Sequence, residues 1–282
     1  MKLKTILITG ATSGIGKQAA IFLASQGHKV FGAGRRIDLI ENDKYENLSS
    51  LKLDLTDKES IKSAFDEVMC KTGGIGLDVL INNAGYAQLG PAVQLHEKNI
   101  RAQFETNFFG PYHLARLFVQ KMIENGSGRV IVISSLAGLA SFPFFGVYCA
   151  SKHAIEGLYS TMRMEVANYG IKVSLIETGA IKTGFRDVAS KTLGKENFFK
   201  DSQYMKALKQ FEKLMDIQFK IAPTPNAILP AISHAVNSSH PKLRYVTPIS
   251  SKLLKFVLKN IFPNSLVERG MSNLMGLKKI KK

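Results

Sequence analysis

Cysteine is almost absent from this chain of 282 residues, where Cys70 and Cys149 stand alone. Two such residues offer no disulfide framework and no metal-ligand spacing, which favours a reducing compartment and chemistry without a bound metal. Long apolar runs are missing as well. No stretch reaches the 18 or so apolar residues of a membrane span. The run behind Met1-Lys2-Leu3-Lys4 is only Ile6, Leu7 and Ile8 before Thr9-Gly10, too short for an export signal. A cytoplasmic protein is the expectation. Acidic residues are scarce: 22 Asp and Glu face 38 Lys and Arg, a net charge of +16. Such an excess invites a nucleic-acid reading, but its distribution argues against one. Residues 250–282 hold eight Lys and Arg against Glu268, or +7 of the total. Neither a zinc finger nor the aromatic interleaving of an RNA-binding sheet accompanies them. A solubilising basic surface explains the charge equally well, and no nucleic-acid partner is expected.

What the chain does contain is alternation. Hydrophobic residues make up 45% and charged residues 21%, ordinary for a globular protein. Short β-branched runs at Thr5–Thr9, Lys29–Ala33, Leu51–Leu53, Val79–Asn82, Val130–Ser134 and Lys172–Thr178 alternate with helical patterns near 15–26, 58–71, 108–123 and 148–169. Residues 243–247 read as a last edge strand. Strands separated by helix-length segments imply right-handed crossovers. The expected fold is therefore α/β: one doubly wound parallel sheet with helices on both faces. Ligands bind such sheets beyond the carboxyl ends of the strands. With no repeat or linker, residues 1–248 are expected to form one catalytic domain. Within it, residues 186–226, with Phe198, Phe199, Phe211 and Phe219, suit helices covering a substrate mouth or a solvated insert. Residues 249–282 form a basic extension. In it, Lys252, Lys255 and Lys259 share a helical face of 252–262 that could lie on an anionic membrane or pack on the domain.

The chemistry-bearing residues follow the strands. Thr9-Gly10-Ala11-Thr12-Ser13-Gly14-Ile15-Gly16 joins the first strand to the first helix. Its glycines let backbone approach a pyrophosphate at a helix N-terminus, so Gly10, Thr12, Ser13, Gly14, Ile15 and Gly16 are candidate cofactor contacts. Arg35, after the second strand, stands where a carboxylate would select NAD; an arginine there accommodates the 2′-phosphate of NADP. Asp38 behind it reads more simply as a helix N-terminal acid. Asp54 and Leu55 follow the third strand, where Asp54 could accept from an adenine amino group or cap a helix. Asn82-Asn83-Ala84-Gly85 ends the fourth strand. Tyr148 and Lys152 stand four residues apart, about one helical turn, and so share a face. A nearby ammonium favours a phenolate, which would tune Tyr148 toward proton transfer. By themselves the two could equally be surface neighbours.

Taken together, the Thr-Gly-x-x-x-Gly-x-Gly turn, Asn-Asn-Ala-Gly and Tyr-x-x-x-Lys, in this order, resemble the short-chain dehydrogenase/reductase family of Rossmann-fold oxidoreductases over roughly residues 3–185. The resemblance implies a hydride transfer between NADP(H), NAD being the less favoured cofactor, and a carbonyl or alcohol. Tyr148 would be the acid in reduction and the base in oxidation; Lys152 would lower its pKa and hold the nicotinamide ribose. Ser135, 13 residues before Tyr148, would polarise the carbonyl. Asn107 would support a water-linked proton relay through Lys152. Asn82, Ala84 and Gly85 would line the cofactor. Gly179, Ile181 and Thr183 match the segment that holds the carboxamide, although Thr178 replaces the usual proline there. The length and the phenylalanines resemble members acting on retinoids, steroids or long-chain ketones. A 3-oxoacyl thioester reductase and a non-catalytic NADP sensor or scaffold are the alternatives. The family further implies a homodimer or homotetramer.

Overall fold

The structure is a computed structural model that describes residues 2–40, 44–194, 202–251 and 264–277. Seven parallel strands form one sheet: β1 Thr5–Thr9, β2 Lys29–Gly34, β3 Leu48–Lys52, β4 Val79–Asn82, β5 Gly128–Ser135, β6 Ile171–Thr178 and β7 Arg244–Thr247. Their order across the sheet is β3-β2-β1-β4-β5-β6-β7. The chain winds outward from β1 to β3, then returns to lay β4 on the other side of β1. That reversal leaves a crevice above the carboxyl ends of β1 and β4.

Alternation within the strands builds two cores. In β1, Leu7 joins Phe31, Leu80 and Val173 on one face of the sheet. Helices α2 (Lys58–Lys71), α4 (Gly110–Glu124) and α5 (Gly146–Glu165) cover that face through Ile61, Phe118 and Tyr159. Ile6 and Ile8 point the other way, toward α1 (Gly14–Ser25) and α8 (Leu229–Asn237), which contribute Leu23 and Ile232. Both faces are apolar because both are covered. Among the described residues, no helix is long and apolar enough to cross a membrane.

Three elements depart from the pattern expected from the sequence. The third strand starts at Leu48, because Ser49 and Ser50 pair with Phe31 and Gly32 of β2 despite their polarity. The helix expected from 108 begins earlier, as α3 (Glu97–Phe104), and runs through a π-turn at Glu105–Phe109 into α4. Its first turns are only partly buried, so their apolar signal is weak. The helix expected at 148–169 stops at Glu165 and gives way to a 3-10 turn, Ala167–Tyr169, ended by left-handed Gly170.

The segment after β6 folds into α6 (Phe185–Gly194) and α7 (Met205–Lys220). These helices share a third apolar cluster with Phe144, Cys149 and Met275, the last just beyond α9 (Asn264–Leu274). Phe211 is fully buried there, against Phe144 and Phe145. Phe198, Phe199 and the amphipathic stretch 252–262 lie outside the described residues.

Candidate active site

A cleft of about 1560 Å³ runs along the carboxyl ends of the strands, from Arg35 past Gly10 to Tyr148 and Phe219. At its centre the first turn is drawn tightly against β4. Gly10 and Gly14 take left-handed backbone angles, φ +70° and +56°, which residues with a Cβ adopt only at a cost. Gly16 is required by space: a Cβ there would stand 2.4 Å from both the Gly10 carbonyl oxygen and Asn83 Nδ2. Thr12, Ser13, Gly14 and Ile15 line the cleft while Gly16 closes the turn from behind.

Beyond this turn, Arg35 and Arg36 are exposed in the cleft wall, and Asp54 and Leu55 lie across from them. Asp54 is not the helix cap. Asp57 has that role and accepts from Glu59 N at 2.9 Å. Asp54 Oδ1 instead accepts from Thr56 N at 3.0 Å and from the Thr56 hydroxyl at 2.8 Å. Partial burial works to raise its pKa, but the two Thr56 hydrogen bonds and the nearby Arg35 charge prevail and lower it. Asp38 lies in a short 3-10 turn, Ile37–Leu39, and not at the start of an α-helix.

The opposite end gathers Ser135, Tyr148 and Lys152 on the cleft wall. Ser135 closes β5; its hydroxyl accepts from Ala137 N at 3.1 Å and donates to the Thr178 carbonyl at 3.3 Å. The Tyr148 ring lies between Phe145 and Phe185, with centroids 5.7 and 5.6 Å away. Lys152 donates to the Ile133 carbonyl at 2.9 Å, with its nitrogen 5.8 Å from the Tyr148 ring centre. Both side chains are more than nine-tenths buried. Burial is the largest influence on the ionisation of both. It raises the Tyr148 pKa despite a hydrogen bond with Ser135 that lowers it. It pulls Lys152 down to about 8 despite the opposing attraction of Glu156. Burial thus acts on both groups in the direction that disfavours their charged forms.

Asn82 and Asn107 stand outside the cleft wall. The Asn82 amide points into the core and donates to the Pro111 carbonyl and the Tyr159 hydroxyl, each at 3.1 Å. Its neighbour Asn83, with Ala84 and Gly85, faces the cleft instead. The fully buried Asn107 amide accepts from the Tyr86 N–H at 3.1 Å and donates to the Tyr86 carbonyl at 2.9 Å and to the Ser151 hydroxyl at 3.3 Å. Gly179, Ile181 and Thr183 do line the cleft. Thr178, in place of a proline, donates its hydroxyl to the Ser134 carbonyl at 3.1 Å, so a side-chain bond holds the loop where a ring would stiffen it.

Sequence reasoning missed Phe142, Phe145, Phe185 and Ser251 as cleft residues. The run Phe142-Pro143-Phe144-Phe145, just before Tyr148, was a usable signal. Phe144 itself takes φ +65° and is held there by packing against Tyr204 and Phe211. Ser251 had no local signal. It reaches the site across β7, so close to Gly179 that a Cβ on that glycine would lie 2.1 Å from Ser251 Oγ.

Residues 4–194 match the short chain dehydrogenase family. The chain belongs to that family. It is 34% identical over 270 residues to an uncharacterized oxidoreductase, YbbO, of Escherichia coli, covering 94% of this chain and 93% of that one. It is 33% identical to an NADPH-dependent 3-dehydrocapnine reductase of Ornithobacterium rhinotracheale, across 93% of this chain and 94% of the relative. Among solved structures, ElxO with NADP bound matches at 26% identity and a TM-score of 0.69, covering 87% of this chain and 97% of that one. This short-chain dehydrogenase is accordingly an oxidoreductase. Its buried lysine yields a direct test. With 13C-labelled lysine, the ε-carbon signal lost in Lys152→Gln should titrate with a midpoint near 8 in the free protein. An ordinary midpoint near 10.5 would show that burial does not control this group.

Proposed function

We propose that the protein transfers hydride between NADP(H) and the carbonyl of a hydrophobic substrate, with Ser135, Tyr148 and Lys152 as its catalytic residues. One observation carries the reading: Tyr148, Ser135 and Lys152 line the same cleft as the glycine turn, beneath an apolar cover. The turn fits a pyrophosphate, because left-handed Gly10 and Gly14 make a tight glycine turn that opens α1 at its N-terminus. Arg35, exposed at the end of β2, fits a 2′-phosphate through charge-assisted hydrogen bonds. The NADPH-dependent relative and the NADP-bound structure support the same choice of cofactor.

When bound, NADPH supplies the hydride and takes up the resulting charge. The protein supplies placement and the proton. As the carbonyl carbon gains the hydride, its π electrons move to oxygen, and that oxygen takes the Tyr148 proton. Ser135 donates to the same oxygen once its hydroxyl turns from Thr178. Lys152, when charged, stabilises the phenolate left behind, and so offsets the burial that otherwise disfavours it. Ala84, Gly85, Gly179, Ile181 and Thr183 shape the wall that orients the cofactor. Asn107 acts from behind, holding the Tyr86 backbone in position. Phe142, Phe145, Phe185 and Phe219 line the substrate end; such a wall favours a long apolar chain over a small polar ketone.

Two substitutions test these roles. Tyr148→Phe should keep NADPH affinity within about twofold and lower turnover by roughly 10²-fold or more, the scale of a lost proton donor. Wild-type turnover on a long-chain ketone would refute the assignment. Arg35→Glu should weaken NADPH binding at least about tenfold, the cost of a lost charge-assisted bond plus repulsion, while sparing NADH. Equal losses for both cofactors, read by fluorescence titration, would place the 2′-phosphate elsewhere.

A further inference from the structure

One turn beyond Lys152 on α5, the same buried face carries a carboxylate, Glu156, which is 6% exposed. Its Oε2 receives a hydrogen bond from Arg244 Nε at 3.0 Å, while Oε1 has no hydrogen-bond partner. Arg244 belongs to β7. Its Nε also stands 3.1 Å from Oε1 of Glu177 on β6, and its Nη2 donates to Ser160 of α5 at 2.7 Å. One arginine therefore serves two buried carboxylates. Lys152, one turn back on the same buried face of α5, adds a fourth charge to the neighbourhood, without a direct ion pair to Glu156. These are the charged groups facing Glu156 from α5, β6 and β7; the loop after β5 contributes Gly138, and Tyr148 lies two turns back on α5. Gly138 is required by the packing, because a Cβ there would come within 2.9 Å of both Glu156 Cγ and the Lys152 carbonyl oxygen.

We propose that Glu156 is a positioning residue for the reaction: its buried carboxylate holds Lys152 in the charged state, and Arg244 on the last strand sets how much of that negative charge the lysine feels. A lone ammonium in this environment would shed its proton, since burial disfavours the charged form. Arg244 pairs with both Glu156 and Glu177, so the two carboxylates, the guanidinium and the ammonium one turn back carry formal charges that sum to zero, and loss of the lysine proton would leave the group net negative. The direction found for Lys152, lowered by burial and raised by Glu156, agrees with this arrangement. β7 thereby bears on the site through electrostatics, in addition to delivering Ser251 to the cleft. The proposal rests on Lys152 being a catalytic residue.

The Lys152 ε-carbon titration tests it without requiring turnover. Glu156→Gln should lower the midpoint by about one pH unit or more, the shift expected when an adjacent opposite charge is removed. Arg244→Gln should raise it, by freeing both carboxylates. Glu156→Asp, which keeps the charge but shortens its reach, should fall between wild type and Glu156→Gln, and serves if the glutamine variant does not fold. A purely structural role would leave the midpoint fixed in every folded variant. A fixed midpoint, or shifts of one sign in both Glu156→Gln and Arg244→Gln, would overturn the proposal. If Tyr148→Phe retained full turnover, the functional reading would fail while the titration shifts could still be observed. The two failures are thus separable. Given Tyr148-dependent turnover, Glu156→Gln should also lower kcat at neutral pH, with NADPH affinity changed less than turnover.

Discussion

The cleft depends on how β1 is fastened to β4 at the point where the chain reverses its direction across the sheet. Thr9 Oγ1 accepts from Asn83 N and Ala84 N, both at 3.0 Å, and Asn83 Nδ2 donates to the Thr9 carbonyl at 2.8 Å. These bonds satisfy backbone donors that leave the ladder at the strand ends, where an unpaired buried N–H would be costly. They also set the spacing that makes Gly16 obligatory, since Asn83 Nδ2 occupies the space a side chain would need. The glycine turn and the Ala84-Gly85 wall are in this sense one object, made from two distant stretches of sequence.

At the reactive end the governing constraint is burial. A phenol, an ammonium and two carboxylates are placed where water is largely excluded, and each alone would pay heavily for its charge. They are tolerable as a set. Lys152 is bonded to the Ile133 carbonyl, Arg244 spans Glu156 and Glu177, and Ser135 lines the cleft beside Tyr148. Low dielectric strengthens the attractions within the set as it penalises each member alone. Burial sets the direction of both ionisable groups at this end, raising Tyr148 and lowering Lys152, and the neighbouring charges act against it. Apolar rings from three different segments, Phe145, Phe185 and Phe219, keep the end dry.

Much of this was legible from one dimension. Strand β1 and helix α2 were readable to the residue, because β1 is the continuous apolar run of a strand covered on both faces, while α2 has the amphipathic period of a half-buried helix. Arg35 could be placed by its position after β2, and Tyr148 with Lys152 by helical spacing. Other features were not legible, for identifiable reasons. Asn82 and Asn83 are chemically identical neighbours, and only strand alternation decides that the first points into the core and the second toward the cleft. The opening turns of α3 carry too little buried surface to announce a helix. The effect of Lys152 on Tyr148 could not be judged from spacing, because desolvation depends on the Phe145 and Phe185 rings that close over the phenol. Arg244 and Ser251 come to the site from beyond residue 240, through β7, and nothing local marks them. Long-range pairing is what sequence periodicity does not carry.

The central claim is that the cleft moves a hydride, and isotope transfer tests it most directly. The protein would be given NADPH doubly deuterated at nicotinamide C4, together with a long-chain 3-oxo substrate, and the alcohol product analysed by mass spectrometry. The account predicts one deuterium per product molecule on the carbinol carbon, with the hydroxyl proton drawn from exchangeable positions. Product carrying only solvent hydrogen at that carbon would contradict it.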